Sequence, residues 1–206
     1  MPMLLAEDYE YKLPKLTRVR QHFDSKKIKD IEIAVREELG RKEIREKIQK
    51  GSKTAVAVGS RGIRNLEQIV KVLIRELKLL GAEPYIVSAM GSHGGGTEDG
   101  QREILSGYGI TEEKMGVPVV TTVDVECTGQ LPGGQKIYFD RAAAQADAII
   151  PVNRIKLHTD FTGPLQSGLS KMLVIGLGNQ KGCSSIHEEE PRRFAEIIEK
   201  AAEIIL

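Results

Sequence analysis

Apolar residues along this chain follow two alternating patterns: short continuous runs, and stripes whose members lie three or four positions apart. The short runs predict buried strands, and the stripes predict amphipathic helices that pack one face against a core. Four of the runs predict strands of one central sheet: Thr54–Gly59, Pro84–Met90, Asp147–Pro151 and Met172–Leu177. Two further runs, Val117–Val123 and Lys136–Phe139, predict additional strands.

Helical stripes fill the intervals between these strands. They predict helices over residues 27–50, from Leu66 to near Gly81, after Thr97, over Ala142–Gln145 and over Pro191–Leu206. Gly40 interrupts the first helix, because glycine is a poor residue for a helix interior. Asn65 and Gln68 predict a capping box at the start of the second helix, and Thr97 predicts an N-cap for the third.

The order of these elements predicts the fold class. Strands that alternate with helices are typical of a parallel sheet covered by helices, because parallel strands need long crossover connections. We therefore predict an α/β fold with a mostly parallel, Rossmann-like sheet flanked by helices. The chain contains no internal repeat and no linker-like segment, so we predict a single domain over residues 1–206.

The balance of charge bears on the partners that the chain can take. Thirty Lys and Arg against 29 Asp and Glu give a net charge of +1, which removes the electrostatic reason to expect nucleic acid or an anionic membrane. No apolar run approaches the roughly 20 residues of a membrane-spanning helix. The two cysteines, Cys127 and Cys183, form no CxxC pair, so we predict a reduced, cytoplasmic protein.

Three loops are predicted at the carboxyl ends of strands, where open α/β sheets bind their ligands. They are Ser60–Arg64, Gly91–Gly96 and Asn153–Lys171. The second loop has the sequence Gly-Ser-His-Gly-Gly-Gly. Its glycines allow two interpretations, a nest of backbone N–H groups for an anion or a tight turn from strand to helix.

Each candidate residue has a functional and a structural interpretation. Arg64 is suited to bind a carboxylate, although arginines near loops are mostly solvated. His93 and His158 are suited to proton transfer near neutral pH, or to hydrogen bonds within their loops. Lys171 precedes an apolar run and is suited to covalent chemistry, or to packing its stem, whereas His187 is suited to a metal or to a helix end. We predict that the first four face one cleft.

Three segments carry a resemblance to a known family: SRGIRN after the first strand, GSHGGGTE after the second, and KLHTDFTGPLQSGLSKMLVIGLG followed by a histidine. With these segments the chain resembles the N-terminal domain of the nickel-pincer-nucleotide-dependent lactate racemase family, over roughly residues 10–206. The resemblance implies that the C-terminal domain of the family is absent from this chain. It also implies that cofactor-synthesis proteins are among its partners.

The resemblance further implies a role for each candidate. In that family a lysine carries the nickel-pincer nucleotide, nickel pyridinium-3,5-bisthiocarboxylic acid mononucleotide, and a histidine ligates the nickel. Lys171 matches the attachment lysine and His187 matches the nickel ligand. His93 and His158 match the two histidines that exchange the hydroxyl proton of the substrate, and Arg64 matches the arginine that orients its carboxylate.

The implied activity is racemisation or epimerisation of a small 2-hydroxy acid, by reversible hydride transfer to the tethered cofactor with histidine acid–base catalysis. Two features differ from the lactate racemases. Arg61 stands where they have an aspartate, and the loop from His158 to Lys171 is longer than theirs; both lie near the expected substrate. The alternative is a non-catalytic nucleotide- or metal-binding α/β module.

Overall fold

The computed structural model describes residues 14–24, 26–158, 163 and 165–206. The strands in these residues are β1 (Lys53–Val58), β2 (Glu83–Ser88), β3 (Val119–Val120), β4 (Val125–Gln130), β5 (Lys136–Asp140) and β6 (Ala148–Val152). Four of them form an all-parallel sheet in the order β3-β2-β1-β6, and β4 and β5 pair as a separate antiparallel hairpin. The predicted α/β fold with a Rossmann-like sheet is confirmed.

Helices cover this sheet and connect its strands. They are α1 (Ile31–Leu39), α2 (Lys42–Arg45), α3 (Leu66–Leu79), α4 (Glu98–Gly107), α5 (Glu112–Met115), α6 (Arg141–Ala144), α7 (Leu169–Lys171), α8 (Asn179–His187) and α9 (Phe194–Ile205). Short 3₁₀ turns occupy Gly94–Gly96 and Pro191–Arg193, and a π-helical segment occupies Met172–Gly176. None of the helices in the described part of the chain is long and apolar enough to cross a membrane.

Three of the four predicted central strands are confirmed with nearly the predicted bounds, as β1, β2 and β6. The fourth prediction, a strand over Met172–Leu177, is wrong, because this segment continues α7 as a π-helix. Met172 and Leu173 pack against the sheet, and Val174 packs in the cluster that contains α9. A helix buried on both sides is apolar all round, and a short apolar run of this kind is indistinguishable from a buried strand in sequence.

The other two predicted strands are only partly confirmed. Of Val117–Val123, the sheet includes Val119–Val120 alone. Lys136–Phe139 is a strand, but it pairs with β4 in the hairpin rather than joining the parallel sheet. The hairpin and α6 carry the chain from β3, at one edge of the sheet, to β6, on the far side of β1.

The helix predictions hold, with one exception at an N-terminus. Gly40 ends α1, and the hydroxyl of Thr97 accepts a hydrogen bond from the Gly100 N–H at the start of α4. The predicted capping box of α3 is wrong: Asn65 has φ 61° and its side chain makes no capping hydrogen bond. Capping of that kind needs extended backbone at the N-cap. Asn65 has the left-handed conformation instead, which asparagine adopts more readily than most residues.

The sheet order places a topological switch point between β1 and β6. Connections from β1 lead through β2 to β3 on one side, and β6 is added on the other side of β1. At such a point the loops that follow two neighbouring strands separate in opposite directions and leave a crevice at the carboxyl edge. A ligand site is therefore expected among the loops that follow β1, β2 and β6.

Candidate functional site

Three loops meet at the carboxyl edge of the sheet, because β1, β2 and β6 are parallel and adjacent. The first loop contains Ser60, Arg61 and Arg64, the second contains His93, and the third contains His158. Lys171 follows the third loop, at the end of α7. The four residues predicted to face one cleft thus lie in or directly after loops of one sheet edge.

The glycine loop after β2 is a tight turn from strand to helix. Gly94, Gly95 and Gly96 all have positive φ, within a 3₁₀ turn that leads into α4. A Cβ on Gly94 would lie 2.5 Å from the Gly100 backbone, so no other residue fits there. The loop therefore has the turn geometry of the structural interpretation, and it also holds His93 at its N-terminal end.

A buried glutamine fixes this loop relative to the sheet. Gln101 in α4 is fully buried; its Oε1 accepts a hydrogen bond of 2.6 Å from the Ser88 hydroxyl, and its Nε2 donates to the Gly91 carbonyl at 3.0 Å. Ser88 ends β2 and Gly91 begins the glycine loop. The amide thus ties the end of the strand to the start of the loop, which restricts the position of His93 two residues later.

The loop after β1 contacts the glycine loop through a serine–histidine pair. Ser60 Oγ is hydrogen-bonded to Nδ1 of His93. The Tyr108 hydroxyl donates to the Ser60 carbonyl at 2.6 Å, which anchors the first loop to the end of α4. Because Nδ1 is engaged with Ser60, Nε2 is the ring nitrogen that His93 offers to a ligand.

The surroundings of His93 favour its neutral form. Burial lowers the pKa of His93 below its ordinary value, and the positive charges of Arg61 and Lys171 lower it further. These charges act on the imidazole only because the fold brings the three side chains near one another. A neutral imidazole with Nε2 available is a competent proton acceptor near pH 7.

Lys171 is half-buried and lies where α7 continues into the π-helical segment. The π-helical segment packs closely on the glycine loop: the Gly91 N–H donates to the Gly176 carbonyl at 3.0 Å. A Cβ on Gly91 would lie 2.9 Å from the Ile175 carbonyl oxygen. Glycine at position 91 therefore permits the close approach that places α7 and the π-helical segment beside His93.

A kink at Asn179 separates the π-helical segment from α8. Asn179 has φ 51°, and its Nδ2 donates to Oδ2 of Asp140 at 2.7 Å, with both residues buried. Burial raises the pKa of Asp140, while its hydrogen bonds to the Ala143 N–H and to Asn179 oppose this shift. The Asp140–Asn179 bond ties the start of α8 to the end of β5, and so sets the direction of the helix that ends at His187.

His187 is exposed at the C-terminal end of α8. Its Nδ1 lies 2.7 Å from the Cys183 carbonyl oxygen, so Nδ1 carries the proton and Nε2 retains its lone pair. The Phe194 ring meets the imidazole edge-on, with centroids 5.4 Å apart. A histidine whose second nitrogen donates to a carbonyl is oriented as metal-binding histidines are.

Arg64 and His158 occupy the outer parts of the same edge. Arg64 is exposed in the loop after β1 and forms no ion pair with a described acidic residue. His158 is half-buried, and its backbone N–H donates to Gln166 Oε1 at 3.1 Å. Residues 159–162 and 164 lie outside the described residues, so the prediction of one common cleft remains a prediction for this part of the loop.

Protein side chains alone do not make a metal centre in the described part of the chain, where no group of three or more His, Cys, Asp or Glu is placed to hold a metal ion. A metal bound at His187 would need further ligands from a bound group. Two buried polar atoms directly after strands of the sheet have no hydrogen-bond partner among the described residues: Nδ2 of Asn153 after β6 and Oγ1 of Thr121 after β3.

Ser60, Tyr108 and Gln101 were not singled out from the sequence, although they order the loop around His93. A signal for Ser60 does exist in the sequence, since it follows the buried strand β1 at the predicted binding edge. No local pattern identifies Gln101 or Tyr108. Gln101 lies in α4 and Tyr108 directly follows it, and their partners are set by the tertiary packing of that helix on β2 and on the first loop.

Comparison with known families gives one match that covers most of the chain. The family model described as the lactate racemase N-terminal domain matches residues 5–194. This range includes all three loops at the carboxyl edge and the helical segment from Lys171 to His187. A search of curated proteins found no match.

Proposed function

The chain belongs to the lactate racemase N-terminal domain family, and on that premise we propose that it serves an isomerase acting on a small 2-hydroxy acid. The proposed reaction is racemisation or epimerisation at C2. The single observation that best supports it is the neutral His93, held by Ser60 and placed near Lys171. A proton acceptor beside a lysine in one cleft is what the chemistry of a tethered cofactor requires.

The proposed cofactor is a nickel-pincer nucleotide, which when bound supplies reversible hydride acceptance from C2 of the substrate. Lys171 is the proposed attachment residue. It is half-buried next to the glycine loop, within electrostatic reach of His93. His187 is the proposed nickel ligand, because the Cys183 carbonyl holds its Nδ1 proton and leaves Nε2 for a metal.

The proton steps fall to residues of the chain itself. Nε2 of His93 takes the proton from the C2 hydroxyl, while Ser60 accepts the hydrogen bond from Nδ1 and keeps the ring in place. The lowered pKa of His93 makes its imidazolium a ready acid, which favours return of the proton. His158 is proposed to do the same for the opposite enantiomer, and Arg64 to bind the substrate carboxylate through its planar fork.

Two protein partners and a cellular location complete the proposal. The family description as an N-terminal domain supports a further domain that closes the cleft and excludes water from it. Cofactor-synthesis proteins would supply the nucleotide. Both cysteines are free, Cys127 exposed and Cys183 buried, which fits the reducing cytoplasm in which we propose the protein acts.

The test measures nickel bound per chain in protein made together with the cofactor-synthesis proteins. We expect nickel in the wild type and in His22→Ala, a control at an exposed histidine. In His187→Ala we expect nickel occupancy to fall at least tenfold while the organic part of the cofactor stays attached, because ligation and attachment are separate functions. Equal nickel content in His187→Ala and the control would refute the proposed ligand. Absence of both nickel and adduct from every protein would refute the function.

A further inference from the structure

The loops at the carboxyl edge of the sheet are basic and almost free of acid. Residues 59–65, 91–97, 153–158 and 165–171 contain five Lys or Arg and no Asp or Glu: Arg61, Arg64, Arg154, Lys156 and Lys171. The one acidic residue within the full span of these loops, Asp160, lies outside the described residues. Over the whole chain the two signs are nearly equal, 30 against 29, so this edge departs from the average. A cleft lined by one sign of charge concentrates ligands of the opposite sign.

Arg61 is the cation of this edge that acts most directly on a proposed catalytic group. Arg61 directly follows Ser60, whose Oγ is hydrogen-bonded to Nδ1 of His93, and the positive charge of Arg61 lowers the pKa of His93. Arg61 is exposed and makes no ion pair with a described acidic residue. Several arginines elsewhere do have acidic partners, as Arg75 has Glu32 at 2.9 Å and Arg102 has Glu98 at 3.0 Å.

An arginine beside a general base, with no ion pair to a described acidic residue, carries a cost, since it disfavours the protonated state through which the base must pass. That cost is removed if the substrate itself brings a negative charge to Arg61. Arg64 is already assigned to the carboxylate next to C2 in the proposed function. A second negative group on the substrate would pair with the second guanidinium of the same loop.

We propose that Arg61 binds a second anionic group of the substrate, so that the site takes 2-hydroxy acids with two carboxylates in preference to acids of the lactate type. This inference rests on the proposed function, because it assumes that Arg64 binds the first carboxylate. Arg61 is then a specificity-determining residue, and the chemical class of the substrate is a 2-hydroxy dicarboxylate.

The loop Ser60–Arg64 is anchored at its start, and the described residues leave space beside its two arginines. Tyr108 anchors it through the Ser60 carbonyl. A Cβ placed on Gly62, between the two arginines, would meet no heavy atom of the described residues within 4 Å, so these residues leave open space beside the loop. The buried Nδ2 of Asn153, which has no acceptor among the described residues, is a further donor at the same edge. Planar guanidinium groups bind carboxylates through two parallel hydrogen bonds.

Binding of malate and lactate by the cofactor-loaded protein tests the proposal, with calorimetry as the readout. We expect malate to bind at least fivefold more tightly than lactate, and Arg61→Gln to abolish this preference while lactate binding changes less than twofold. Arg154→Gln is the matched control, since it removes the same charge from the same edge. We expect it to leave the preference in place. Equal loss of preference in the two variants would overturn the proposal, because the effect would then be one of general charge.

Titration of His93 supplies a second readout that a purely structural role of Arg61 would not change. A dicarboxylate at Arg61 offsets its positive charge, so saturating malate should raise the pKa of His93 more than saturating lactate does. In Arg61→Gln this difference should disappear. The same rise with both ligands in the wild type would contradict a second anion site at Arg61.

The phosphate of a nucleotide is the other anion that could occupy Arg61, and nicotinic acid mononucleotide distinguishes it. If Arg61→Gln weakens binding of this mononucleotide to cofactor-free protein and leaves the preference for malate intact, Arg61 serves the cofactor and the proposal fails. The outcomes also separate the inference from the proposed function. A Lys171 adduct without preference for malate overturns the inference alone, whereas Arg61-dependent preference without any adduct supports the anion site and contradicts the proposed function.

Discussion

Ser60 Oγ is hydrogen-bonded to Nδ1 of His93, a residue 33 positions later in the chain. The contact joins the loops after the two central strands β1 and β2 at the carboxyl edge of the sheet. It leaves Nε2 as the ring nitrogen that His93 can use for proton transfer.

Ser60→Ala should change the tautomer of His93. In the proposed tautomer Nδ1 donates to the Ser60 hydroxyl and the lone pair resides on Nε2. Without the hydroxyl, the ring should shift toward the tautomer mixture of a free imidazole. The measurement is the pair of ¹⁵N chemical shifts of the His93 ring at a pH where it is neutral. Ser106→Ala, at an exposed position of α4, is the control and should leave these shifts unchanged. Identical tautomer ratios in wild type and Ser60→Ala would rule out the positioning role.

Arg61→Gln should raise the pKa of His93. The guanidinium charge lowers that pKa together with burial and Lys171, so its removal should move the pKa toward, but not up to, the ordinary value of about 6.5. Titration of the His93 ring protons by NMR measures the change. Arg45→Gln in α2 removes a charge from a helix that precedes β1 and should have no effect. A pKa that stays the same in Arg61→Gln would show that the two side chains do not interact in solution.

Gly176→Ala should destabilise the protein although alanine favours helix. A Cβ at this position would lie 2.9 Å from the Ala89 carbonyl oxygen, so the π-helical segment would have to move away from the end of β2. Overpacking costs about 1 to 3 kcal/mol, which exceeds the gain of up to about 1 kcal/mol in helix propensity. Urea unfolding measures the balance. Gly133→Ala is the control and should be nearly neutral, because a Cβ there would meet no described heavy atom within 4 Å. A Gly176→Ala protein as stable as the wild type would contradict the close packing of the helix at Gly176.

The central strands could be predicted because their signals are local. Thr54–Gly59 and Pro84–Met90 are short, β-branched runs between amphipathic helices, and parallel strands necessarily share a carboxyl edge. The same argument predicted His93 and His158 at that edge, whereas Lys171 was expected directly before a strand and lies instead at the end of α7. Met172–Leu177 could not be assigned in the same way, since burial between the sheet and α9 makes every side of this helix apolar.

The contacts that order the site depend on tertiary structure and have no sequence pattern. Ser60 meets His93, and Asn179 meets Asp140, only because the fold brings distant segments together. The kink at Asn179 also escaped prediction, because a left-handed asparagine inside a helical segment has no periodic signal. Such residues are found from the structure and then tested by substitution.

Mass spectrometry of the peptide that contains Lys171 tests the central claim most directly. Protein made with the cofactor-synthesis proteins should carry a covalent adduct on this lysine, and Lys171→Arg should lose it. Lys181→Arg is the matched control: Lys181 lies ten positions later, in α8, with its Nζ 4.4 Å from the Tyr138 ring centroid, and this variant should keep the adduct at Lys171. An adduct on a different lysine, or one that persists in Lys171→Arg, would contradict the account.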